Sequence, residues 1–209
     1  MNAPDRPTRT IVLASGSPRR RELLAALGVA FEVDPADVDE TTAEQDPVRV
    51  AEDLALLKAR TVASRRPGAL VIGSDTVVAL DGRLLGKPAD ADEARTMLRS
   101  LRGRAHEVVT GVAVILEGAE RVAHSATAVT MRDYADAEIE AFIATGSPLD
   151  KAGGYASQDP VFAPTASIEG CTCGVVGLPL WTLRALLRDA GLDVAEPSLA
   201  RCAGCLERR

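Results

Sequence analysis

The sequence predicts an α/β fold, and three observations predict it. Apolar runs at Ile11–Ala14 and Ala69–Ile72 read as buried strands, because a strand covered on both faces loses polar alternation. Segments with helical apolar spacing and recognisable end signals lie between the strand-like runs. Asp81-Gly82, flanked by two strand-like stretches, is the strongest short-range hairpin signal a sequence can carry.

Taken in order, Thr10–Ala14 is the first strand. Ser17 suits an N-cap and Pro18 the first helical position, where a missing N–H costs nothing. Leu23, Leu24 and Leu27 form one apolar face and Gly28 supplies a left-handed stop, predicting a helix over Pro18–Leu27. A second strand falls near Val29–Val33, followed by a loop carrying Asp34, Asp37, Asp39 and Glu40. Asp46-Pro47 opens a helix with Val50, Leu54 and Leu57 on one face and Lys58 one residue beyond that stripe; it ends before Pro67-Gly68. Ala69–Ile72 runs into Gly73-Ser74-Asp75, putting a carboxylate at a strand end, where open α/β sheets bind their ligands. Thr76–Leu80 and Arg83–Gly86 make a hairpin in which Leu80 pairs with Arg83, leaving Asp75 and Lys87 at the open end. A bulge at Gly86 would turn Lys87 toward the Asp75 face.

Asp90 and Glu93 form a capping box for a helix over Ala91–Arg102, with Ala94, Met97, Leu98 and Leu101 inward. His106–Leu116 and Arg121–Met131 make a second hairpin across a loop at Glu117–Glu120, and His106 and His124 read as ordinary strand residues. A short helix over Ala137–Thr145 precedes an irregular segment, Ser147–Gln158, whose Gly153-Gly154 pair suits close approach to a ligand or a mobile lid. Strand-like Ser167-Ile168, a Cys171-Thr172-Cys173 turn and a helix over Pro179–Ala190, with Leu183, Leu186 and Leu187 inward, complete the pattern. The expected organisation is a flexible N-terminal tail (1–9), one folded domain (10–191) and a C-terminal Cys-containing tail (192–209).

Composition narrows the class. The 209 residues are 46% hydrophobic but only 3% aromatic, so the core must be built from Val, Leu, Ile and Ala. A net charge of −6 argues against nucleic acid or an anionic membrane surface as partner, so any phosphate site must be a local cationic pocket. The polar stretch Met1–Pro7 lacks the apolar region of a signal peptide, and no apolar run approaches the roughly 20 residues of a membrane span. A cytoplasmic protein is expected. Cys171, Cys173, Cys202 and Cys205 form a C-x-C and a C-x-x-C pair, which in that compartment reads as a metal site or redox pair before a disulfide framework.

The candidate chemistry begins at Arg19, Arg20 and Arg21. They crowd the first turn of a helix, where the macrodipole is already positive and each wrong-signed charge costs about 0.3–1 kcal/mol. That arrangement is either a solvated basic patch or an anion site made with the free N–H groups. The acidic run ending at Glu40 is either a solvated face or a source of hard oxygen ligands for a divalent cation. Lys58, Lys87 and Lys151 add cations, and Asp75 adds a strand-borne carboxylate. No G-x-x-x-x-G-K-[ST], no G-x-G-x-x-G and no Ser-His-Asp or Cys-His nucleophile set is present. Cations that neutralise a polyphosphate beside carboxylates that hold a metal or take a proton point to metal-assisted hydrolysis of a phosphoanhydride.

At these residues the chain resembles the Maf family of nucleoside triphosphate pyrophosphatases. The matching stretches are Leu13–Arg20 with Glu22-Leu23-Leu24, Asp37–Glu40, Lys58-Ala59-Arg60, Ile72–Val78, Leu85–Pro88, His106–Val112, Pro148–Gly153 and Val175–Pro179, all in the family's order. The resemblance implies an ITPase-like, two-lobed fold with a long mixed central sheet, hairpins and flanking helices around a cleft. It implies hydrolysis of a nucleoside triphosphate to the monophosphate and pyrophosphate with Mg²⁺, Mn²⁺ or Co²⁺. It places Asp75, Glu40 and Lys87 in the catalytic set, with Asp75 as the favoured base and Glu40 and Asp75 as metal ligands. Ser15, Arg19, Arg20, Lys58, Thr76, Lys151 and Gln158 fall in the substrate-binding set, and Arg21 at a variable position. Arg19, Thr76 and Gln158 match the branch acting on dTTP, UTP and modified pyrimidine nucleotides, and a homodimer is implied. A nucleotide-binding regulator of cell division with little hydrolysis is the alternative. The chain departs from the family pattern at Gly154–Asp159 and Gly170–Gly174, stretches that bear on base selection more than on catalysis. The four cysteines lie in the second departure and in the added tail, where a structural Cys₄ zinc site, free thiols and adventitious disulfides are all open.

Overall fold

The computed structural model describes residues 9–208. Seven strands form one mixed sheet: β1 (Ile11–Leu13), β2 (Glu32–Val33), β3 (Leu70–Leu80), β4 (Arg83–Leu85), β5 (Ala105–Leu116), β6 (Ala119–Met131) and β7 (Thr165–Glu169). The order is β2-β1-β3-β5-β6-β7, with β4 pairing β3. β1 runs parallel to both β2 and β3, and all other pairs are antiparallel. Seven helices accompany the sheet: α1 (Pro18–Ala25), α2 (Pro47–Ala63), α3 (Ala91–Leu101), α4 (Asp136–Ile143), α5 (Thr172–Val176), α6 (Leu180–Asp189) and α7 (Ala200–Ala203).

The local signals explain where elements begin. Ser17 caps α1 by accepting from the Arg20 N–H, and Asp46 caps α2 by accepting from the Val48 and Arg49 N–H groups. Asp90 caps α3, although Glu93 reaches back to the Ala89 N–H rather than to the cap residue itself. The Asp81-Gly82 turn has positive φ at both residues, and Leu80 faces Arg83 as its two-residue length requires. The second hairpin turns as tightly, at Glu117-Gly118, so β6 begins at Ala119 rather than Arg121.

Three sequence expectations are corrected. β3 does not end at Asp75 but continues as one strand to Leu80, so that carboxylate lies mid-strand. β4 stops at Leu85 with no bulge at Gly86, whose carbonyl instead accepts from the Gly153 N–H. The buried stripe of α2 is Val50, Ala51, Leu54, Ala55, Lys58, Ala59 and Val62; Leu57 is exposed and Lys58 lies within the stripe.

That last correction follows from how α2 meets the sheet. A Cβ at Gly73 would lie 2.2 Å from the Ala55 carbonyl oxygen, and one at Gly111 would lie 2.1 Å from that of Ala51. The helix backbone therefore rests directly on β3 and β5, with alanine on its side of the contact and glycine on the sheet's. Seating Ala51 and Ala55 on the sheet fixes the rotation of the helix about its axis, which turns Leu57 outward and puts Lys58 on the buried side. On the opposite face two apolar clusters form. One packs Ile11, Leu13, Leu70 and Ile72 under α1 and α6; the other packs Val78, Leu80 and Val108 under α3 and α4.

The C-terminal segment packs too. Val194, Cys202 and Cys205 are buried in the first cluster, and Trp181 Nε1 donates to the Cys202 carbonyl at 3.0 Å. The expected N-terminal tail lies, but for Arg9, outside the described residues.

Gly111→Ala is expected to destabilise the fold by about 1–3 kcal/mol or more in urea unfolding, since backbone must move to admit one methyl group. Gly86→Ala, with open space at its Cβ position, should cost less than about 0.5 kcal/mol.

Candidate active site

β5 pairs with β3 over Val71–Ala79, but the other edge of β3 is shared. β1 takes Leu70–Ile72 and β4 takes Val78–Leu80, so Gly73–Val77 have a strand neighbour on one side only. A cleft of about 560 Å³ opens at this gap, beyond the C-terminal end of β1. Its floor is polar because Ser74, Thr76 and Thr110 occupy the sheet face between the two apolar clusters, while Asp75 projects to the α2 face.

All ten sequence-predicted nucleotide-site residues line this one cleft: Ser15, Arg19, Arg20, Glu40, Lys58, Asp75, Thr76, Lys87, Lys151 and Gln158. Their engagement differs. Lys58 Nζ lies 2.5 Å from Asp75 Oδ1 and 2.8 Å from Glu40 Oε1, so one ammonium bridges the two carboxylates. Lys58 and Asp75 are buried; Glu40 is exposed. Burial raises the Asp75 carboxyl above its ordinary pKa, and the Lys58 and Arg20 charges oppose that rise.

Arg20 is held from three elements. Its Nε donates to the Gly177 carbonyl at 2.9 Å, Nη1 to Ser15 Oγ at 3.3 Å and Nη2 to Thr76 Oγ1 at 3.2 Å. Burial lowers the guanidinium pKa, with Asp75 and Glu40 pulling the other way. Ser15 Oγ also accepts from the Ser17 N–H, which fixes the turn into α1. Arg19 and Lys87 carry no ion pair among the described residues, and Arg21 is exposed on the surface. Lys151 is tethered: its Nζ donates to the Ser147 carbonyl at 2.6 Å and pairs with Asp150. Gln158 is exposed at the cleft wall.

Some supporting residues were not legible as such in the sequence. Ser74 Oγ lies 2.9 Å from the Gly111 carbonyl and 3.0 Å from that of Gly177, and Thr110 Oγ1 donates to the Gly174 carbonyl at 2.8 Å. These contacts tie α5 to the sheet. Each joins residues far apart in sequence, so no spacing could have revealed them. His106, read as an ordinary strand residue, is buried with Nε2 2.6 Å from the hydroxyl of Tyr155, a cleft residue; its Nδ1 has no partner. Burial lowers its pKa to about 4. His124 pairs with Glu52 at the surface.

Sheet, helices and cleft define a mixed α/β protein with a cleft that brings cations and carboxylates together at a break in strand pairing. The chain belongs to the Maf-like protein family, whose model matches residues 10–190. It is 54% identical over 190 residues to a dTTP/UTP pyrophosphatase of Thermomicrobium roseum, covering 90% of this chain and 87% of that one. It is 50% identical over 187 residues to a dTTP/UTP pyrophosphatase of Moorella thermoacetica, covering 88% and 96%. Among solved structures, a nucleoside-triphosphatase / dITP/XTP pyrophosphatase of Mycobacterium abscessus aligns with a TM-score of 0.42 at 23% identity, over 60% of this chain and 75% of that one. No helix among the described residues is long and apolar enough to cross a membrane.

Lys58→Met should destabilise the protein by about 3–5 kcal/mol in denaturant unfolding at pH 8, because Asp75 would stay buried without its counter-charge. The His106 shift has a definite sign. The folded state holds the ring neutral, so its contribution is complete above about pH 6.5 and is lost as pH falls toward about 4. The loss is on the order of 3 kcal/mol, and His106→Gln should flatten that limb of the stability–pH curve.

Proposed function

We propose that this chain hydrolyses dTTP and UTP to the nucleoside monophosphate and pyrophosphate. The observation that carries the reading is the single cleft in which Arg19, Arg20, Lys87 and Lys151 surround a Glu40–Lys58–Asp75 triad. The names of the relatives supply the nucleotides.

Each residue has a part that its setting explains. Ser15 and Arg20 form a cradle for the phosphate chain, and the three contacts on Arg20 hold its fork in place before substrate arrives. Arg19 and Lys87 are available to the β- and γ-phosphates, and Lys151 closes the cradle from the 147–154 segment. Asp75 takes a proton from water; burial makes it a stronger base than an exposed carboxylate, and Lys58 keeps it ionised. The water oxygen bonds to the α-phosphorus, the bond from that phosphorus to the bridging oxygen breaks, and pyrophosphate leaves with the bridging oxygen. The cations stabilise charge that accumulates on the leaving oxygens.

The donor set fits a divalent cation, since Glu40 and Asp75 already converge on one positive centre, the Lys58 ammonium. Glu40 and Asp75 would hold the metal. When bound, such an ion polarises phosphoryl oxygens and lowers the pKa of water. Mg²⁺, Mn²⁺ and Co²⁺ all suit these oxygen donors. Thr76 and Gln158 are assigned to selection of the pyrimidine base. A homodimer and a cytoplasmic location rest on the family resemblance alone.

Incubating the purified chain and Mn²⁺ with a panel of nucleoside triphosphates should release pyrophosphate fastest from dTTP and UTP. Asp75→Asn should lower that rate by at least about 100-fold, and Lys87→Ala should lower kcat/KM by roughly 100-fold without loss of stability. Nucleotide binding without pyrophosphate release, or full activity in Asp75→Asn, would overturn the reading in favour of a nucleotide-binding regulator.

A further inference from the structure

The four cysteines take no part in the cleft, yet the fold brings them together. Cys171 and Cys173 flank the start of α5, and Cys202 and Cys205 flank the end of α7; all four are buried in one cluster. None is in a disulfide. The Cys171 and Cys205 sulfurs lie within 4.8 Å of one another, in a group that also includes a Glu207 carboxylate oxygen. The Cys171 thiol neighbours that of Cys205, and the Cys173 thiol that of Cys202. The sulfurs thus form two adjoining pairs, each made of one residue from either segment.

We propose that Cys171, Cys173, Cys202 and Cys205 form a tetrathiolate site for a structural zinc ion, separate from the nucleotide cleft. Four sulfur donors from two short-spaced pairs are the ligand set of closed tetrahedral zinc sites, which have no open position for substrate. Burial pushes the Cys171, Cys173 and Cys202 thiols up, so without a cation they stay protonated. One supporting donor is already in place, the Gly174 N–H, which points at Cys171 Sγ at 3.3 Å as donors to metal-bound thiolates do. Glu207 Oε2 accepts from Thr182 Oγ1 at 2.6 Å, so this carboxylate is already anchored to α6, and the Glu207→Gln variant below separates it from the cysteines as a ligand.

The placement assigns the ion a job. The Gly174 and Gly177 carbonyls, in and just after α5, accept from Thr110, Ser74 and Arg20, so α5 is the cleft's rear wall. Among the described residues, the polar contacts that fasten the C-terminal segment behind it are Trp181 to Cys202, Thr182 to Glu207, Arg184 to Val194 and Asp193, and Ser198 to Ala26. A zinc ion would join that segment to α5 and brace the wall from outside. Metal binding would release the thiol protons, so retention should weaken in acid.

The test is the metal content of the full-length chain purified without chelator. About one zinc per chain is expected, retained in Asp75→Asn and in Glu207→Gln and absent from the Cys202→Ser/Cys205→Ser double variant. The cobalt-substituted chain should show the charge-transfer bands of tetrahedral cobalt thiolate, and chelation should lower the melting temperature of the wild type. Should the double variant not fold, an organomercurial titration of the wild type replaces it, with zinc release tracking modification of the thiols. Four titratable thiols without metal, a mass deficit showing disulfides, or bound iron would overturn the proposal. So would loss of zinc in Asp75→Asn or Glu207→Gln.

Discussion

The backbone of α2 lies directly on β3 and β5, and the rest of the site depends on that contact. Gly73 and Gly111 remove the two Cβ atoms that would strike the Ala55 and Ala51 carbonyls. Ala51, Ala55 and Ala59 keep the helix side equally thin. Here Lys58 is pressed against the sheet and its ammonium meets Asp75 at 2.5 Å. The close approach also excludes water from the pair, which makes the charge pairing strong and the removal of either partner costly.

A second constraint is topological. Two different strands share one edge of β3 and leave Gly73–Val77 uncovered between them. Side chains from both faces of β3 can therefore turn into one opening: Asp75 from the α2 side, Thr76 from the α1 side. β1 ends at this gap and hands the chain to Ser15 and α1, which delivers Arg20 to Thr76. Lys58 and Lys151 pair with cleft carboxylates, while Arg19 and Lys87 carry no ion pair among the described residues. A protein of net charge −6 can in this way hold a local cationic surface for phosphate.

The elements behind the cleft show the same economy of contact. Gly177 supplies one carbonyl to both Arg20 and Ser74, so the position of α5 and the orientation of the guanidinium are a single structural variable. The C-terminal segment packs on the far side of α5 and α6 through Val194, Cys202 and Cys205. Support for an arginine in the cleft thus extends to the last part of the chain.

Local physical chemistry is what the sequence by itself determined. Caps at Ser17, Asp46 and Asp90, the Asp81-Gly82 turn and the unbroken apolar run at Leu70–Ile72 specify elements because each acts within a few residues. Motif order likewise marked ten of the residues that line the cleft. Only the tertiary structure decided what holds them. Reading Leu57 as buried and Lys58 as peripheral follows from hydrophobicity alone, which cannot register that two glycines in distant strands seat Ala51 and Ala55 and so fix which face of α2 turns inward. β3 running through Asp75 is likewise a matter of partners, since β5 pairs with it across the position where its apolar run gives way to Gly73-Ser74-Asp75. The meeting of His106 with Tyr155, and of two cysteine pairs separated by the whole of α6, arises from long-range packing. Sequence records which groups a chain carries; distance between them is set by the fold's closest contacts.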